Sequence, residues 1–152
     1  MPVKPTPAHN LAPRSISRLD ALDQASPRSC AFQNSIESSP LAWWRTRLPQ
    51  DLDRQDVKRI RALLLRAEPI NDCDWLRAAT GDSAAAIGVA IRVLKFHGMT
   101  DSLTDVAMSA VLCCFLEDDG ASTALIRSAL RRRRKIDRRS HDLWLHWRND
   151  PF

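Results

Sequence analysis

The sequence predicts an all-α protein, a compact orthogonal or bundle-like array of about six helices behind a disordered N-terminal tail. Three observations carry this. Apolar residues recur at three- and four-residue spacing in successive stretches after residue 41, each bounded by Asp, Asn, Ser, Gly or Pro. No stretch alternates apolar and polar residues as a half-buried strand would, and no two-residue hairpin signal occurs. The window Ser102–Gly120, SLTDVAMSAVLCCFLEDDG, is hydrophobic on nearly every side, with only Thr104, Asp105 and Ser109 polar between Leu103 and Leu116. A helix of that kind belongs inside a bundle.

The tail is read from composition. Residues 1–40 hold six of the nine prolines, seven of the thirteen serines and one aromatic, Phe32. Such a segment buries too little apolar surface to offset its ordering entropy. A patch at Ser15–Gln24, with Ile16, Leu19 and Leu22, reads as a transient helix or a segment that folds on a partner. The composition change at Leu41, where LAWWRTRLP begins, sets the boundary of a single domain over 41–152.

Taken in order, Gln50–Ala67 reads as the first long helix, with Asp51 and Asp53 in its first turn and Val57, Ile60, Leu63 and Leu64 as its stripe. Pro69 stops it. Asn71–Thr80 reads as a short helix capped by Asn71 or Asp72, with Trp75, Leu76 and Ala79 inward and Gly81 ending it. Asp82 or Ser83 caps a helix to about His97 with two stripes, Ile87/Ile91/Leu94 and Val89/Val93/Phe96. Gly88 between them suggests close helix approach, and Gly98 with Met99 suggests a closing cap. Ser102 with Asp105 fits a capping box. The four-residue turn before it predicts an antiparallel central pair of helices. Leu125, Ile126, Ala129 and Leu130 extend the core face of the helix that begins at Ala121 or Ser122. Ser140 caps a final helix on which Leu143, Trp144 and Trp147 can share a face.

The chain carries a net charge of +5, and 19 of its 23 basic residues are arginine. That balance permits an acidic partner without requiring one. Cys30, Cys73, Cys113 and Cys114 have no disulfide spacing and read as small apolar residues in a reducing cytoplasm. The N-terminus lacks the apolar core of a signal peptide, although a Ser/Pro-rich leader also suits an exported effector. The apolar runs are too short to span a bilayer.

The densest charge feature is RRRRKIDRR, residues 131–139. Arg131, Arg132, Arg133, Arg134, Lys135, Arg138 and Arg139, with Arg127, form one candidate surface for nucleic acid or an acidic partner. Arg54, Lys58 and Arg61 form a second, at helical spacing. Either is an ordinary solvated face unless its charges stay unpaired, and Glu117, Asp118 and Asp119 stand ready to neutralise the run. Trp43, Trp44, Trp144 and Trp147 are candidate protein contacts, set against the plainer expectation that one of the Trp43/Trp44 pair anchors the core while the other covers its edge.

A helix-turn-helix is the alternative, with Gly120 as turn glycine and Ser122, Thr123, Arg127 and Ser128 reaching bases. Against it stand Leu116, Asp119 and the acidic triplet. His97, His141 and His146 lack ligand or nucleophile partners in the sequence, while Asp142 and His146 are spaced to pair on one helix face. Asp72-Cys73-Asp74 lacks the remaining ligands of a cation loop, and no phosphate-binding or nucleophile-elbow motif occurs. The reading is a non-catalytic interaction or regulatory protein with no cofactor and no metal. Its expected partner is a protein first and nucleic acid second, with oligomeric state unassigned.

Overall fold

The computed structural model describes residues 39–67 and 70–149. The expected tail up to Ser38, the patch at residues 15–24 and Cys30 lie outside the described residues. Within them the chain is all-helical, with no strand. Two 3-10 helices, Pro40–Arg45 and Pro49–Asp51, lead into α1 (Arg54–Leu64), α2 (Trp75–Thr80), α3 (Ser83–Phe96), α4 (Ser102–Phe115), α5 (Gly120–Arg133) and α6 (Arg138–Asn149).

One rule starts most of these helices: a carboxylate accepts from the first free backbone N–H groups, where it also complements the helix dipole. Asp53 does this for α1, Asp82 for α3, Asp101 for α4 and Asp119 for α5. Asp137 accepts from both the amide and the hydroxyl of Ser140 in the first turn of α6. This moves several expected boundaries. The first helix begins at Arg54, because Asp53 and Asp56 close a reciprocal capping box. Ser102 is inside α4, because Asp101 caps it. Ser140 is inside α6, because Asp137 stands three residues ahead of it. The short α2 begins only at Trp75, since Asp72 folds back to accept from the Asp74 amide. Gly81 ends α2 in the left-handed region at φ 112°, as its lack of Cβ allows.

The apolar window is the hub. From Ala107 to Phe115 every residue of α4 is buried, and α4 packs against α1, α2, α3, α5 and the first 3-10 helix. Its pairing with α3 is the most extensive in the fold, as the short connection predicts. The faces of α3 differ from expectation. Ala85, Ala86, Val89, Ala90, Val93 and Leu94 are buried, whereas Ile91 and Phe96 are exposed. Small side chains let α3 approach α4, which also offers Ala107 and Ala110, and this leaves the bulkier residues outside. Gly88 is not a contact point between helices. A Cβ there would meet only the Arg92 guanidinium of the same helix. Leu76 is likewise exposed, and Ala78 takes its expected place beside Trp75 and Ala79. Gly98 is not in the left-handed region, so α3 closes through extended His97, and Met99 packs half-buried against the core.

Candidate basic interaction surface

The acidic triplet at the end of α4 decides which basic residues stay available. Glu117 pairs with Arg61 at 2.6 Å, and Asp118 pairs with Arg54. Asp119 is used as the cap of α5, accepting from the Ser122 amide at 2.7 Å and its hydroxyl at 2.5 Å. Asp118 adopts a positive φ of 69°, which turns the chain sharply between α4 and α5. Glu117 and Asp118 therefore face α1 and neutralise the Arg54/Arg61 stripe, and among the described residues no member of the triplet pairs with the arginine run. A shallow groove of about 300 Å3 there is lined by Arg54, Val57, Lys58, Arg61 and Glu117, so its charges are mixed.

The run itself divides. Arg131, Arg132, Lys135 and Arg138 are exposed and make no ion pair among the described residues. Arg134 lies over the Trp144 ring, 4.8 Å from its centroid, and Arg148 lies 5.7 Å from the same ring. Arg139 donates to the Thr46 carbonyl at 3.2 Å. Arg133 turns inward, pairs with Asp137 at 3.1 Å and donates to the Met99 carbonyl. Arg127 donates to the Trp147 carbonyl and fixes α5 to α6. The working charge is thus concentrated where α5 ends and α6 begins.

The tryptophans are mostly structural. Trp43, Trp44 and Trp147 are buried, so none presents a contact face. Both members of the Trp43/Trp44 pair enter the core, since the 3-10 helix lies directly on α4. Trp147 packs on Phe115 with ring centroids 4.7 Å apart. Trp144 alone stays half-exposed, packed against the core beside buried Leu143 and Trp147. Among the helix-turn-helix residues, Ser122 and Thr123 are buried, and Gly120 is the first residue of α5 rather than its turn.

Sequence reasoning missed the buried polar node. Asp105 accepts from Trp44 Nε1 at 3.0 Å and takes a two-pronged contact from Arg45, at 2.7 and 2.8 Å. The signal was present: one carboxylate in an otherwise apolar window requires a cation or donors to be stable when buried.

The remaining candidates are closed on themselves. Both carboxylates of Asp72-Cys73-Asp74 contact Arg92, at 2.5 to 3.0 Å. That arginine contact, followed by the Asp74 amide, holds the Asp72 carboxyl below its usual range despite burial. His97 contacts Asp101 at 3.2 Å. The His146 ring meets the Asp142 backbone carbonyl rather than its carboxylate. Among the described residues no Ser or Cys side chain is hydrogen-bonded to a histidine. Comparison with protein families, with curated proteins and with solved structures finds no match.

Proposed function

We propose that this protein is a non-catalytic interaction module that holds a polyanionic partner on the basic corner between α5 and α6. The observation that carries this is the division of charge. Glu117 and Asp118 are taken up by Arg61 and Arg54, which leaves Arg131, Arg132, Lys135 and Arg138 exposed and without an ion pair among the described residues. Four unpaired cations on adjoining turns raise the local concentration of anionic groups and steer their approach. Arg134 and Arg148 on Trp144 add a cation-coated aromatic at the same corner. An acidic protein segment is the first partner this chemistry fits.

Nucleic acid is the second, in a form that holds phosphates without reading bases. Burial of Ser122 and Thr123 removes two of the side chains a major-groove helix would present. Fluorescence anisotropy with a labelled polyglutamate and with an arbitrary-sequence duplex separates the two. Binding to polyglutamate alone supports the protein reading. Duplex binding that falls steeply with salt supports the phosphate form. If neither probe is retained at low salt, the proposal is wrong.

A further inference from the structure

A second basic feature lies beside that corner, in a partly open cavity. Arg45, Thr46, Arg133, Ile136, Asp137 and Arg139 line a cavity of about 400 Å3 between the first 3-10 helix, the end of α5 and the start of α6. Three arginines line it against one carboxylate residue, Asp137, with the Asp105 carboxylate bound to Arg45. From these residues we infer that the cavity is a site for a small oxyanion of the phosphate class.

The donors are held in place by Asp105 and Met99 behind the cavity and by Asp137 and Thr46 on its wall. Asp105 grips Arg45 by two nitrogens, and the Met99 carbonyl and Asp137 hold Arg133. The Thr46 carbonyl takes one nitrogen of Arg139. Arginine has five N–H groups, so Arg133 and Arg139 keep donors beyond those used in these contacts. Planar guanidinium forks match the geometry of phosphate oxygens, and preorganised donors lose little entropy on binding. Among the described residues the carboxylates that act on Arg133 are Asp137 and Asp105, two against three arginines. Burial, and after it the neighbouring Arg45 charge, pull the Arg133 guanidinium below its usual value against Asp137 and Asp105. An anion in the cavity relieves that repulsion. This site does not depend on the corner formed by Arg131, Arg132, Lys135 and Arg138.

The test is the thermal stability of the full chain in inorganic phosphate and, separately, in glycerol phosphate. Each is compared with chloride at matched ionic strength, so that screening cancels. A ligand bound only by the folded state raises the melting temperature in a saturable way. Two variants leave the buried ion pairs intact. Arg139→Gln removes a charged donor, and Ile136→Glu places a carboxylate at the half-open wall, since Ile136 is 56% exposed. Each is expected to weaken binding by about tenfold or more. Arg131→Gln/Arg132→Gln should leave it unchanged. Saturation by phosphate alone marks a free-anion site, and saturation by both marks a phosphomonoester site. The inference is overturned if neither compound stabilises beyond chloride. It is equally overturned if the Arg131/Arg132 variant loses as much affinity as Arg139→Gln, which would mean diffuse attraction.

Discussion

Replacing Asp105 by Asn should be one of the most damaging conservative changes in this chain. The Arg45 and Asp105 side chains are 10% and 9% exposed, so the contact between them is largely desolvated. The carboxylate receives two bonds from Arg45 and one from Trp44 Nε1. Removing one member of a buried pair leaves the other charge poorly compensated, at a loss of about 3–5 kcal/mol. Asp105→Ala adds an orphaned indole N–H, for about 1–3 kcal/mol more. Against a typical domain stability of about 5–15 kcal/mol, either change approaches unfolding. Arg54 and Asp118 give the contrast. Their side chains are 75% and 65% exposed, so Asp118→Asn should lose no more than about 1 kcal/mol. Urea unfolding followed by tryptophan fluorescence reads both, with m compared to check that the unfolded states match. Replacing the pair together, Arg45→Met with Asp105→Leu, should restore part of the loss, because no lone buried charge remains. A loss below about 1 kcal/mol for Asp105→Asn would refute the claim that this contact is desolvated.

Two glycines should respond with opposite signs. Gly81→Ala forces an L-residue to φ 112° and crowds Arg61, which should lower stability by about 1–3 kcal/mol. Gly88→Ala meets only the movable Arg92 guanidinium and should raise stability by about 0.5–1 kcal/mol, both read from thermal melts. Burial pushes the Cys113 and Cys114 thiols up to about 12 and about 11, so alkylation at pH 8 of the folded chain should spare them and modify exposed Cys73. Mass mapping that finds all three modified at one rate would contradict their burial. Asp137 gives an acid limb. Burial raises its carboxyl, but the Ser140 amide and hydroxyl and then Arg133 outweigh it, so the folded value lies below the usual carboxylate range. Its stabilising contribution is complete above pH about 4 and is lost as pH falls through the folded value. Asp137→Asn should therefore be destabilised at pH 7 yet lose less further stability between pH 5 and pH 2 than the parent, as measured by urea titration.

Much of the helical order was legible from spacing alone, and the central place of α4 followed from its apolar character. What spacing did not resolve was competition among polar residues. Ser102 and Ser140 looked like caps, but an earlier aspartate outcompetes each because it brings charge as well as an acceptor. The buried face of α3 was misplaced for a different reason. Ile91 and Phe96 are more apolar than Ala86 and Ala90, but the close fit to α4 selects small side chains. The basic surfaces were legible as residues, not as charge. Which arginines are neutralised depends on the direction of the turn at Glu117–Asp118–Asp119, and that is a backbone property. The Arg45–Asp105–Trp44 node joins residues about sixty positions apart and had only one local sign, a lone carboxylate in an apolar helix.

The most direct measurement compares two variants of equal charge on the same polyanion. Arg131→Gln/Arg132→Gln removes two unpaired cations, and Arg54→Gln/Arg61→Gln removes two that Asp118 and Glu117 already hold. Affinity for polyglutamate or duplex is followed against salt by anisotropy. The first variant is expected to bind about tenfold more weakly, with a salt slope reduced by about 0.9 for each lost phosphate contact on the duplex. The second is expected to stay within about twofold of the parent, since surface pairs contribute little. Equal losses in the two variants, or a larger loss in the second, would contradict the assignment of binding to the α5–α6 corner.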